Sequence, residues 1–149
     1  CPNEANRIGL TYHNLLMKNN LKQYLTDKND LYIFLDCDDN NLDANYSFGT
    51  ISITKGIIRD MKTDGNLACL IGHELSHHLL QHDRIGNKTS IAQRELDADT
   101  LGTALAVQAG YTMQDCESFI EMAAPHDIHL NGYPSSYEIL QNIRRLDLK

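Results

Sequence analysis

The sequence predicts a single α+β domain over residues 1–149, mainly helical, with a small sheet whose edge strand runs just ahead of a central helix. Three observations predict it. Apolar residues recur at helical spacing along most of the chain, and short runs of β-branched and aromatic residues fall only between residues 31 and 54. The 149 residues are enough for one buried core and do not require a second.

From Glu4 to about Tyr24, Ile8, Leu15, Leu16, Leu21 and Leu25 recur at helical spacing, giving one long helix or two short ones. Leu31-Tyr32-Ile33-Phe34-Leu35 is short, branched and aromatic, as in a buried strand. Asp36 to Asn45 reads as a polar loop. Asp36, Asp38 and Asn40 have the spacing that opens a calcium loop, but Asn41 stands where glycine is needed and Ser47 where glutamate is needed, so a solvated turn is expected. Thr50-Ile51-Ser52-Ile53-Thr54 alternates with period two and is read as the sheet edge. Lys55 to Met61 is a short helix, and Thr63-Asp64-Gly65-Asn66 has the chemistry to cap the helix that follows, Leu67 to His82. Ser90 and Gln93 open a helix that stops at Gly110. Thr112 with Asp115, and Ser135 with Glu138, open two more, the last running to the C-terminus.

Composition narrows the function classes. Hydrophobic residues make up 42% and charged residues 22%, and no apolar run approaches the length of a membrane span. Twenty acidic residues against thirteen basic ones leave a net charge of -7 with no basic stripe, which argues against a nucleic-acid partner. Cys1, Cys37, Cys69 and Cys116 contain no CxxC pair; their even number suits two disulfides in an extracytoplasmic protein, periplasmic or secreted, with buried free thiols as the alternative. A chain headed by Cys1 is compatible with a mature end bearing a lipid anchor or with a fragment boundary.

The chemistry lies in Leu70-Ile71-Gly72-His73-Glu74-Leu75-Ser76-His77-His78-Leu79-Leu80-Gln81-His82-Asp83. His73 and His77 stand four apart, so on a helix both rings project from one face within reach of one ion, with Glu74 between them. This is HExxH: two neutral imidazoles bind Zn2+ and the glutamate deprotonates a water. Burying these groups without a cation would be costly. A third histidine ligand at the metzincin spacing is excluded, because Leu80 and Asp83 occupy the positions that would be glycine and histidine. The remaining source is the helix opened by Ser90. Its Glu95 and Asp99 are four apart on one face, so one can ligate and the other can orient a ligand, while Ala98 and Gly102 allow the two helices to approach closely. His78 and His82 are expected to face solvent, and Cys69 to be a buried thiol or half of a bridge.

His73-Glu74-Leu75-Ser76-His77 followed by Glu95-Leu96-Asp97-Ala98-Asp99 resembles peptidase family M48, with similarity from about Asn45 to Gly110. The resemblance implies a zincin-like fold of the gluzincin type. It makes His73, His77 and Glu95 ligands of one Zn2+, Glu74 the general base and Asp99 a support for the ligands. The family's membrane helices and tetratricopeptide domain have no counterpart here, so a minimal soluble catalytic domain is implied. Where many members carry a histidine-proline pair, this chain has Tyr133-Pro134. Tyr133 is then either an oxyanion donor or a packed aromatic, with His126 and His129 as fallback donors.

The expected activity is that of a zinc endopeptidase in which Glu74 activates a water and hands its proton to the leaving amine. Its protein or peptide substrate would lie extended against Thr50, Ile51 and Ser52, with Gly49 allowing close approach. The alternative is a catalytically silent or latent zinc- or peptide-binding module of the same fold. Glu74 favours catalysis, because a structural site has no need of a base.

Overall fold

The computed structural model describes residues 1–26, 30–127 and 133–146. Helix α1 (Pro2–Lys18) starts with proline in its first turn, where no amide donor is needed, and buries Ile8, Leu15 and Leu16. A single 3-10 turn, Lys22–Leu25, follows it, so the first periodic stretch is one long helix and a turn. Strand β1 (Tyr32–Asp36), strand β2 (Ala44–Ser47) and strand β3 (Thr50–Thr54) come next, and then α2 (Lys55–Asp60), which Thr54 caps.

The remaining helices begin where side-chain caps begin them. Thr63 and Asn66 form a reciprocal capping box at α3 (Asp64–Leu79). Ser90 caps α4 (Ile91–Gln108), Thr112 accepts from Asp115 N at the start of α5 (Met113–Asp127), and Ser135 caps α6 (Ser136–Arg144). Arg7 ties α1 to the entrance of α3, donating to the carbonyls of Ile58, Met61 and Thr63 and to Asp64 Oδ1.

Helix α3 runs through the middle of the core. Its Leu67, Ile71 and Leu75 are fully buried, surrounded by Leu15 and Leu16 of α1, Ile51 and Ile53 of β3, Phe119 and Ile120 of α5, and Ile143 of α6. A side chain buried to that extent contributes roughly 1.5–3 kcal/mol, so α3 is held by packing on nearly every side.

The sheet corrects three sequence expectations. Its order is β1-β3-β2, with β1 parallel and β2 antiparallel to β3, so β3 is the central strand and not the edge. β1, expected to be buried, is an edge strand with Tyr32 48% and Phe34 59% exposed. β2 occupies residues read as the end of a polar loop. Its strand character comes from hydrogen bonds to β3, a cross-strand property that the Ala-Asn-Tyr-Ser sequence does not carry. Phe48 and Gly49, both with positive φ, make the two-residue hairpin turn between β2 and β3.

Two disulfides are present, Cys1–Cys37 and Cys69–Cys116. Cys1, the position considered for a lipid, is thus bonded to Cys37. Cys69 joins α3 to α5. No helix among the described residues is long and apolar enough to cross a membrane.

Helices α3 and α4 cross at Gly72 and Gly102. A Cβ on Gly72 would come within 2.8 Å of the Gly102 carbonyl oxygen, and one on Gly102 within 2.6 Å of the His73 amide nitrogen. The backbones therefore touch where any side chain would hold them apart, which brings the acidic residues of α4 onto the histidine face of α3.

Candidate metal centre

One turn of α3 separates His73 from His77, and their Nε2 atoms lie 3.1 Å apart. Glu95, projecting from α4, faces both: Oε2 is 3.1 Å from His73 Nε2 and Oε1 is 3.4 Å from His77 Nε2. Asp99, one turn further along α4, lies 2.7 Å from His73 Nδ1, on the opposite side of the ring. His73, Glu74 and His77 offer ligand atoms that all lie within 4.8 Å of one another. The closer contacts single out Glu95 as the carboxylate facing the two ring nitrogens, with Glu74 beside them and itself buried.

The electrostatics suit a site that could hold a cation. Burial works against a charged His73, yet Asp99 foremost, then Glu95 and Glu74, overcome it and hold the imidazolium well above its ordinary range. His77 is pushed down to about 3, by burial and by the charge on His73. Glu95 lies below its ordinary value despite burial, because His73 hydrogen-bonds to it. Glu74 is pushed up to about 7, chiefly by burial, with His73 opposing and Glu95 and Asp99 adding to the rise. Three carboxylates therefore share one imidazolium. A divalent ion would supply the missing charge and displace the extra proton of His73.

Tyr46, distant in sequence, and His78 and His82, close in sequence, complete the site. His82 and His78 were expected in solvent, but His82 is 7% exposed with Nδ1 2.8 Å from His77 Nδ1, and His78 Nδ1 is 2.9 Å from the Tyr46 hydroxyl. The Tyr46 ring stacks on His77 at 13° with centroids 6.5 Å apart. Its hydroxyl also accepts from Gly49 N, and Asp83 accepts from Phe48 N, so the β2–β3 hairpin is fastened to the end of α3. A cleft of about 1030 Å³ opens at the ligand pair, and its lining includes Ala44, Asn45 and Tyr46 of β2 together with Phe119 and Tyr133.

The expected substrate contacts Gly49, Thr50, Ile51 and Ser52 lie on β3 and in the turn before it. β3 is paired on both sides, Ile51 is fully buried, and it is β2 that borders the cleft. Tyr133 lines the cleft. His129, and the side chain of His126, lie outside the described residues. A signal for His82 was available in its spacing, five residues after His77 across a helix end. Tyr46 carried none, because its proximity depends on strand pairing.

Residues 21–93 match the profile of peptidase family M48. The match, over 73 of the 149 residues, supports assignment to peptidase family M48. M48 is a family of metallopeptidases, which agrees with a His73, Glu74 and His77 group that could hold a metal ion. The matched stretch contains His73, Glu74, His77 and His82 and ends two residues before Glu95. The placing of Glu95 and Asp99 therefore rests on the geometry of the α3–α4 crossing. No curated protein matches the chain.

Proposed function

We propose that this M48 protein is a zinc-dependent endopeptidase with His73, His77 and Glu95 as ligands of one Zn2+ and Glu74 as general base. The observation that carries the reading is the triangle of Nε2, Nε2 and carboxylate oxygens with sides of 3.1, 3.1 and 3.4 Å. Zinc bonds of about 2.05 Å at tetrahedral angles separate neighbouring ligand atoms by about 3.3 Å. Three protein ligands and one open position are the donor set of a catalytic zinc site, whereas a structural site closes with a fourth.

Zinc held there supplies a Lewis acid for the scissile carbonyl and acidifies a water. Glu74, buried beside the two imidazoles, takes the proton of the attacking water and delivers it to the leaving amine. Asp99 accepts from His73 Nδ1 and so keeps Nε2 of that ring free to ligate. Tyr133, on the cleft wall, donates to the oxyanion. The peptide lies extended along β2, whose one described partner is β3, adding a strand to the sheet beside the cleft. The two disulfides support a compartment outside the reducing cytosol.

The test is metal content and casein hydrolysis for the parent, Glu74→Gln and Glu95→Ala. Glu74→Gln is expected to keep zinc and lose cleavage, and Glu95→Ala to lose zinc affinity. Undiminished hydrolysis by Glu74→Gln removes the base assignment. A parent that binds zinc and cleaves nothing points to the silent or latent module of the same fold.

A further inference from the structure

The helix that carries the histidine pair ends in a turn that delivers a third imidazole to it. Leu80 closes α3, and Gln81 adopts a positive φ of 55°. His82 N donates to His77 O at 3.1 Å, and Gln81 N donates to His78 O at 3.1 Å. These are the six-to-one and five-to-two hydrogen bonds of a Schellman motif. In that motif the residue after the left-handed position lies against the residue five places earlier, usually as an apolar contact. Here the two residues are His82 and His77. Their ring centroids are 5.0 Å apart, their Nδ1 atoms are 2.8 Å apart, and His82 is buried.

The chemistry of a ligating imidazole gives this contact a direction. A ring that binds an ion through Nε2 carries its proton on Nδ1, and that N–H needs an acceptor. Nε2 of His77 faces His73 and Glu95, so its Nδ1–H points at His82. The acceptor is the Nδ1 lone pair of His82, whose own proton must then sit on Nε2. We infer that His82 is a positioning residue of the metal centre: it holds His77 in the tautomer that ligates through Nε2, as the Asp99 carboxylate does for His73. The inference rests on the proposed zinc site but requires no contact between His82 and the ion or substrate. It makes the helix stop part of the site, since the spacing of His77 and His82 is the spacing that the turn brings together.

The test uses His82→Phe, which fills the space without an acceptor, and His82→Asn, which keeps one. Zinc affinity is measured by competition with a chromogenic chelator, and the ring tautomers of the zinc-loaded parent by long-range proton–nitrogen NMR. His82→Phe is expected to lose about 10- to 100-fold in zinc affinity, with His82→Asn recovering part of the loss and metal-free melting temperatures unchanged. The loaded parent is expected to show His77 protonated at Nδ1 and His82 at Nε2. Parent-like zinc affinity in His82→Phe, or a His82 protonated at Nδ1 in the loaded parent, overturns the inference. The NMR readout decides even where a variant fails to fold. A parent that binds no zinc overturns the zinc site itself, a separate result.

Discussion

The crossing of α3 and α4 gives a prediction whose size follows from the backbone. In Gly102→Ala the new methyl would stand 2.6 Å from His73 N, 2.8 Å from Gly72 C and 2.9 Å from His73 Cα, all backbone atoms of α3. Ordinary carbon contacts begin near 3.5 Å, so α4 must back away by about 1 Å. Asp99 lies one turn from residue 102 and Glu95 two turns, and both follow the helix. The 2.7 Å contact of Asp99 with His73 Nδ1 and the 3.1 Å approach of Glu95 to His73 Nε2 then lengthen beyond hydrogen-bonding range. Two effects on stability oppose one another: alanine favours a helix over glycine by about 1 kcal/mol, and overpacking costs about 1–3 kcal/mol. The metal-free protein should therefore lose between nothing and about 2 kcal/mol, a fall in Tm of a few degrees, while zinc affinity falls by about 10- to 100-fold. Gly9→Ala on α1, where a Cβ would meet nothing within 4 Å, is the control and should gain about 1 kcal/mol with zinc affinity unchanged. Thermal melts with and without zinc, with chelator competition, measure both quantities. A Gly102→Ala protein that is stabilised like Gly9→Ala and binds zinc like the parent would refute the claim that backbone contact sets the ligand geometry.

Further outcomes follow from the same structure. Asp99→Asn, which weakens the acceptor at His73 Nδ1, is expected to lower zinc affinity by about 10-fold while leaving the fold intact, as read by chelator competition and far-UV circular dichroism. Glu74 has an ordinary value of 4.5 unfolded and about 7 folded, so its contribution to metal-free stability is complete below about pH 4.5 and lost as pH rises through 7. Urea melts of metal-free Glu74→Gln should show that this part of the pH dependence, about 3 kcal/mol, has disappeared. Gln81→Gly relieves a non-glycine residue at φ 55° and is expected to raise stability by about 0.5–1 kcal/mol without changing zinc affinity. Reducing Cys69–Cys116, which closes a loop across a sequence separation of 47, should cost about 4 kcal/mol in the urea unfolding of a Cys1→Ser, Cys37→Ser background.

Local chemistry wrote the helices and half of the candidate metal site into the sequence. Thr63 with Asn66, Ser90, Thr112 and Ser135 start helices where their side chains bond to amides two or three residues on, an interaction that needs no distant partner. His73 and His77 share a face because a helix turns in 3.6 residues, and Glu95 and Asp99 share one for the same reason. Gly102 signalled a close helix contact before its partner Gly72 was known.

Pairings between distant segments decided the rest. Thr50–Thr54 alternates whether it lies at the edge or the centre of a sheet, so only the hydrogen bonds to β1 on one side and β2 on the other place it in the middle and move the cleft wall to β2. Four cysteines permit three pairings, and the packing of α3 on α5 selects Cys69–Cys116. His82 reads as a polar residue beyond a helix end. It becomes buried against His77 only because the chain turns back at Gln81, a residue type that does not announce a left-handed backbone as glycine does. Sequence alone set which residues have metal chemistry and which helices carry them. Tertiary structure decided which of their atoms meet, because those distances depend on where two backbones touch.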